Sequence, residues 1–556
     1  MKKGWFKKAA ISLTCLTMLV GCGGGGKEES ATKSITVNLG SEPPEMLTFM
    51  TTDSTSGNVL RHVMEGLVTL DENNGAVPGV AKEVPTKENG GISADGKTIT
   101  FKLNPDAKWQ DGSQVKASEF EYAWDLMFNQ TTGSQYASTW APLIEGASEI
   151  LAAKTDAARE KAMAKKGYKA NDEEGTFTVK ITEPYPYFVT LMAFYSFAPI
   201  NKAAFEACGK DLSERVKKYG TDPDKFLGNG PFVLKEWKHD DSIKVVKNDK
   251  YWNAKEIKLN DITFRMLTDT NTLLNEFESG NIDMIGLTGE QKTRLEENGN
   301  KNIKTFADGG TWYLLFNTKA KPFNNAKVRK ALTLGVDIDG FIKEIRKDDS
   351  KTAPTFTAPS VYNGEFTKSL GNLYSARKDY AKAKALLEEG LKEEGMKISD
   401  LTVHLVGDEG DDALKNYAFL QEEWQKNLGV ETKIDQVTFK SRVDKMSKGD
   451  FSVVFAGWSA DYDDPMSYLE IVKSDNGNNN GKYNNPKFDE LLNKANKELD
   501  SNKRQKLLQD AEKLIAEECP IGVLYHRYTT YVTSDKLVGE QRTAYKNMDF
   551  RFADVK

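Results

Sequence analysis

The residues that invite a chemical reading stand close together late in the chain. Trp458-Ser459-Ala460-Asp461-Tyr462-Asp463-Asp464-Pro465 places three carboxylates and two aromatic rings within one short segment. A carboxylate that follows a buried strand and sits between aromatic rings stands where α/β sheets place ligand-binding residues. It can equally be a turn residue that bonds its own backbone, a common use of aspartate. Paired carboxylates also serve hydrolysis, but with 82 acidic residues a pair at any spacing carries no signal. The other constellations of catalysis are missing from the sequence: it has no Gly-x-Ser-x-Gly elbow and no cysteine in an activating context. There is no Cys-x-x-Cys or His-Glu-x-x-His, and His62, His239, His404 and His526 are scattered. No catalytic residue, metal or cofactor is expected.

The elements around Asp461 follow from periodicity. Phe451-Ser-Val-Val-Phe-Ala-Gly-Trp458 is almost wholly apolar and reads as a buried strand, and polar residues just past the carboxyl end of an interior strand lie where α/β sheets bind ligands. Leu414, Tyr417, Ala418, Gln421, Trp424 and Leu428 mark one helical face closed by Gly429, before a strand through Val430, Thr432 and Ile434 and a short helix ending at Gly449. Toward the other end, Ser34–Leu39 alternates as a first strand. Asp95-Gly96 turns into Lys97–Leu103, with Ile99, Phe101 and Leu103 on one face. A helix is expected over about 117–128, with Ser118 and Glu121 as its capping box. Helices and strands alternate, so the fold class is α/β.

At 556 residues the chain is too long for one core, and 39% hydrophobic with 28% charged residues describes a globular protein of two or more units. The net charge of −6 comes from interspersed signs, which argues against a nucleic-acid partner. Lys2, Lys3, Lys7 and Lys8 precede an apolar stretch from Ala9 to Val20, the pattern of an export signal over residues 1–21. Leu19-Val20-Gly21-Cys22 resembles the bacterial lipobox, which implies cleavage before Cys22 and a diacylglycerol on its sulfur. Removing residues 1–21 takes four lysines and no acid, leaving a net charge of −10. Residues 22–34, with their glycine run, read as the lipidated cysteine and a flexible tether. Gly21 to Lys27 mimics a phosphate loop, but Glu28 stands where a hydroxyl residue would hold magnesium. Cys15 leaves with the signal, so Cys208 and Cys519 remain, either as a disulfide or as buried free thiols.

Seven segments in order then resemble one family. They are Glu65-Gly-Leu67 with Pro78-Gly-Val-Ala81; Asp95-Gly96 through Leu103, with Lys108-Trp109-Gln-Asp-Gly112 and Ala117; and Asn229-Gly-Pro-Phe232 with Trp237. Tyr251-Trp252, Gly280-Asn-Ile-Asp283, Pro322-Phe-Asn324 with Val328-Arg-Lys-Ala-Leu332, and Ala456-Gly-Trp-Ser-Ala-Asp-Tyr462 follow. Together they resemble the oligopeptide-binding, family 5 solute-binding proteins of ABC importers, over essentially the whole mature length.

The resemblance implies a two-lobed periplasmic-binding-protein-like fold with an extra N-terminal subdomain and a hinge. Lobe I is expected at 35–64, 199–307 and 528–556, the subdomain at 65–198, and lobe II at 308–527. It further implies that Asp461 receives a peptide's α-ammonium and that the backbone of Gly457 and Ser459 bonds a peptide lying as an added strand. Trp458 would line a side-chain pocket, with Tyr136 and Tyr525 contributing. Where enterobacterial members carry carboxylate-docking arginines, this chain has Met446 and Phe455. That leaves Lys445, Lys448 or Arg527 as substitutes, or an open-ended cleft for longer peptides. The implied protein is a monomeric receptor, lipid-anchored to the outer face of the cell membrane, that hands oligopeptides to the membrane subunits of an ABC permease. On the same fold the alternatives are a pheromone receptor or a carrier of a non-peptide solute.

Overall fold

A computed structural model describes residues 32–556. The expected export segment 1–21, Cys22 and nearly all of the tether lie outside these described residues. Ser34–Asn38 forms a strand with Ile35 and Val37 buried, and it sits inside an eleven-stranded mixed sheet. From edge to edge the strands are Glu431–Val437, Thr402–Asp408, Val453–Ser459, Ile303–Phe316, Ile521–Thr533, Met284–Gly286, Ser34–Asn38, Asp261–Arg265, Ser242–Lys247 and Phe232–Lys238. Lys351–Thr352 pairs off this path with Ile521–Thr533.

Pairing is parallel where a helix makes the crossover, as parallel strands require. Thr402–Asp408 runs parallel to Glu431–Val437, with the Asp411–Leu428 helix between them, and parallel to Val453–Ser459 on its other side. Gly429 and Gly449 end the two helices of this region in left-handed conformation, φ +73° and +72°, where a side chain would be strained.

The two long strands Ile303–Phe316 and Ile521–Thr533 run antiparallel down the middle, and their register breaks between Ala307 and Thr311. On one side of the break Met284–Gly286 pairs with Tyr531–Thr533; on the other Val453–Ser459 pairs with Gly310–Phe316. Asp308 fills the break. Its carboxylate accepts from Gly310 N (2.9 Å), Arg527 Nε (2.5 Å) and Thr529 Oγ1 (2.6 Å).

A separate antiparallel sheet of Thr98–Lys102, Thr176–Lys180 and Tyr168–Asn171 packs under the Ala117–Met127 helix, with the Trp124 and Phe177 rings edge to face at 4.9 Å. The helix cap differs from the expected Ser118 and Glu121 pair. Lys116 is the capping residue, so Glu119 occupies the third position and its Oε2 accepts from Lys116 N at 2.8 Å. Ser118 instead donates to Asp172, and Glu121 accepts from Ala170 N.

Cys208 is half-buried, Cys519 is buried, and both are free thiols, so they form no disulfide. No helix among the described residues is long and apolar enough to cross a membrane.

Candidate functional site

Val453 to Ala456 are buried, as an apolar interior strand should be, but Gly457 is exposed and Trp458 and Ser459 are half-buried. The change follows from pairing. Along one edge, Val453–Ser459 pairs with Gly310–Phe316 over its whole length. Along the other edge, Thr402–Asp408 pairs only with Val453 and Val454. Among the described residues no strand covers that second edge from Phe455 onward, so the amide and carbonyl groups there are free to pair with an added chain. Glycine at 457 fits a close approach: a Cβ there would lie 3.1 Å from the Trp312 ring.

Beyond the strand the chain turns sharply, and the three aspartates separate into three roles. Asp464 is fully buried and takes a bidentate pair from Arg504, at 2.7 and 2.9 Å, while also accepting from Met466 N. Asp463 Oδ1 accepts from Tyr362 N (2.8 Å) and the Tyr545 hydroxyl (3.0 Å). Asp461 anchors its own backbone through an N–H bond to Ser467 Oγ at 2.8 Å, and the Trp458 indole donates to Ser467 O at the same distance. Its carboxylate receives the Tyr136 hydroxyl at 2.8 Å and has no cationic partner among the described residues. Burial therefore pushes the Asp461 carboxyl up to about 7, against the opposing effect of the Tyr136 bond.

Asp461, Gly457, Trp458 and Ser459 all line one cavity of about 410 Å³, within the range that holds small ligands. Thr52–Thr55, Gly57, Asn58, Leu60, Arg61 and Ala193–Tyr195 also line it. Tyr136 is fully buried and reaches Asp461 from behind the wall, its ring stacked on Trp140 at 5.1 Å. Tyr525 is placed differently from its expected role. It is fully buried, stacked on Trp312 at 6.2 Å and packed against Phe341, and it is not part of the cavity wall. Tyr525 is paired in register with Trp312 and lies on the same face of the sheet, but Trp312 stands between it and the cavity.

The basic residues also separate. Lys445 and Lys448 face solvent and pair with Asp450 (3.1 Å) and Asp444 (2.7 Å), and neither lines the cavity. Arg527 lines it but is locked to Asp308. A further wall comes from the Phe439–Lys448 helix, which presents Phe439, Arg442 and Met446. Arg442 pairs with Asp408 at 2.7 Å. The sequence held a signal for it: Arg442 precedes Met446 by one helical turn, so the two share a face. Asp53 and Arg61, which also line the cavity, had no such marker.

Residues 75–480 match the family model described as "Bacterial extracellular solute-binding proteins, family 5 Middle". The chain belongs to this family. A family 5 relative, the oligopeptide-binding protein OppA of Bacillus subtilis, is 34% identical over 556 residues, covering 97% of each chain. Among solved structures, the substrate-binding domain of an oligopeptide ABC transporter from Bacillus anthracis superposes with a TM-score of 0.85 at 31% identity, over 95% of this chain and 99% of that one. Listeria monocytogenes OppA bound to peptide gives the same TM-score at 28% identity and the same coverage. The expected two-lobed α/β class of family 5 holds for this chain.

Proposed function

We propose that this chain captures oligopeptides outside the cell and delivers them to an ABC permease without covalent chemistry. The observation that carries the reading is the uncovered edge of Val453–Ser459 running directly into the unpaired carboxylate of Asp461. An extended peptide added to this edge gains backbone hydrogen bonds that do not depend on its sequence. Its α-ammonium then meets Asp461, and an enclosed ammonium requires such a partner to offset its desolvation. Gly457 and Ser459 supply the edge, Trp458 a side-chain wall, and Tyr136 holds the carboxylate in place. Tyr525 acts at one remove by backing Trp312.

The lobes are proposed at 35–64, 199–307 and 528–556, and at 308–527, with the subdomain at 65–198. The register break at Ala307 and Thr311 supports a hinge there. A peptide touching both walls stabilises the closed form, which is the form a permease would recognise. Cys22, beyond the described residues, carries the proposed lipid anchor that holds a monomeric receptor at the outer membrane face.

Native mass spectrometry of the purified chain tests this reading. Co-purified or added peptides of mixed sequence should appear as one-to-one complexes and be recovered uncut. Absence of any peptide complex, or cleavage of the peptides, would overturn it.

A further inference from the structure

Residues 65–198 are tied to the proposed first lobe at several places. Ser134 Oγ donates to Phe49 O at 2.5 Å, Gln110 N to Gly228 O at 2.9 Å and Asn201 Nδ2 to Glu119 Oε1 at 3.0 Å. Toward 308–527, the hydrogen bonds among the described residues all start from the short stretch Tyr136–Thr139. Tyr136 reaches Asp461, and the others meet a single turn: Asn476 Nδ2 donates to Thr139 Oγ1 at 2.9 Å, and Gly477 N to Ser138 Oγ at 2.6 Å. Ser138 Oγ in turn donates to Gln135 O at 3.2 Å. Trp140 and Tyr187 flank the seam by packing on Tyr462, at 5.9 and 4.6 Å between ring centres.

Glycine at 477 answers to this seam and not to its own backbone. Its φ lies outside the left-handed region, yet a Cβ would stand 2.3 Å from Gln135 O and 2.8 Å from Gln135 Cα, backbone atoms of the facing stretch. The turn is firmly part of its own side. Asn479 Nδ2 donates to Lys473 O (3.1 Å) and Tyr483 O (2.8 Å), its Oδ1 accepts from Tyr483 N (3.1 Å), and Asn476 Oδ1 accepts from Asn478 N (2.8 Å). The docked turn holds Asn478 in the cavity wall, 6% exposed and with its Nδ2 donor unpartnered. A buried donor without an acceptor is unfavourable, so a ligand oxygen that meets it favours the docked arrangement over the undocked one.

We propose that the turn Asn476–Asn478 is a clasp, which docks on Gln135–Thr139 as the cleft closes and holds it shut. The proposal rests on the two-lobed, peptide-capturing reading above. Asn476 and Gly477 do not line the cavity, so they are positioning residues: they set the population of the closed form and leave the ligand's own contacts as they are. Apparent affinity then falls with the fraction of molecules able to close.

Small-angle X-ray scattering and calorimetry on the full chain, with tri-, tetra- and penta-alanine as probes, test the clasp. Wild type should contract when saturated. Gly477→Ala should keep the unliganded melting temperature, because the undocked turn has room for a methyl group, but it should lose the contraction and bind about tenfold or more weaker. A variant that contracts as wild type does overturns the proposal, whatever its affinity, and so does wild type that binds without contracting. Should Gly477→Ala fail to fold, Ser138→Ala removes the acceptor of Gly477 N from the facing side without adding bulk. It must weaken binding by about threefold or more, and unchanged affinity overturns the proposal. If wild type binds none of these probes nor the mixed-sequence peptides named above, the peptide-capturing reading itself falls, and this proposal with it.

Discussion

The Tyr136 hydroxyl donates to Asp461 Oδ2 at 2.8 Å, joining residues 325 positions apart in the chain. The bond orients the carboxylate but leaves Oδ1 free, so an ammonium can bind without displacing the tyrosine. Replacing Asp461 with asparagine keeps the shape and removes the charge. The expected loss of peptide affinity is about 2–5 kcal/mol, the usual consequence of breaking one side of an enclosed charge pair. N-acetylating the peptide should weaken wild-type binding similarly and add little in Asp461→Asn. Calorimetry with blocked and free peptides checks this, and additive losses would remove Asp461 from the ammonium site.

The same carboxylate makes the unliganded protein pH-sensitive. In the unfolded chain Asp461 titrates near the ordinary aspartate value of 3.8; in the folded cleft burial pushes it up to about 7. Below about pH 4 both states hold the proton, and Asp461→Asn should match wild type. Between 4 and 7 the folded state keeps a proton that the unfolded state releases, so wild type loses stability relative to the variant as pH rises. The slope is at most about 1.4 kcal/mol per pH unit. Above 7 the gap stays constant. Thermal melts of both proteins at pH 4, 6 and 8 should show the variant drawing ahead, and parallel curves would place Asp461 in a solvated setting.

Peptide binding should carry a matching proton linkage. The ammonium pairs with the ionised carboxylate, so affinity rises as pH passes through about 7. It falls again once the peptide's amino group, with a pKa near 8, loses its proton. Affinity measured from pH 5.5 to 9 should be bell-shaped, and a flat profile would mean that the two charges do not meet.

Glu65 and Arg551 form a buried pair at 3.0 Å, with Tyr251 Oη (2.5 Å) and Trp252 Nε1 (2.7 Å) also donating to the carboxylate. Asn229 bonds both the N–H and the carbonyl of Glu65, each at 2.9 Å. Removing only one charge leaves the other buried and unpaired, so Glu65→Leu or Arg551→Met should each destabilise by about 3–5 kcal/mol. The double variant should be closer to wild type than the sum of the two. Denaturant titration of the four proteins checks the coupling, and simple additivity would show that the pair is not what holds these segments together.

That cluster shows how much the sequence disclosed and where it stopped. Glu65-Gly-Leu67, Asn229-Gly-Pro-Phe232 and Tyr251-Trp252 stood out as family segments, but periodicity gave no hint that they meet. Their glycines mark close approaches: a Cβ at Gly66 would lie 2.6 Å from Met192 O, and one at Gly230 2.6 Å from the Val63 carbonyl carbon. The strand and turn around Asp461 were legible because an apolar run ending in aspartates is a local pattern. Arg61 was not, since nothing in its neighbourhood along the chain marks it as part of the cavity wall. Tyr525 lies one strand further from the cavity than Trp312 on the same face, a lateral offset that strand alternation does not disclose.

The free edge of Val453–Ser459 leads to a last prediction, with a spatial period. An added strand offers successive N–H groups alternately toward and away from its partner. Methylating a peptide nitrogen that faces Gly457 or Ser459 removes a hydrogen bond and inserts bulk at the pairing distance. Each such change should weaken binding by about 1 kcal/mol or more. Methylating the nitrogens in between should matter much less, because they point to the opposite wall or to water. A scan of singly N-methylated penta-alanines by calorimetry should therefore show losses at every second position, in phase with the ammonium at Asp461. Uniform tolerance would mean that the peptide does not lie as a strand on this edge. A pattern out of phase with the N-terminus would mean that it lies there in a register not set by Asp461.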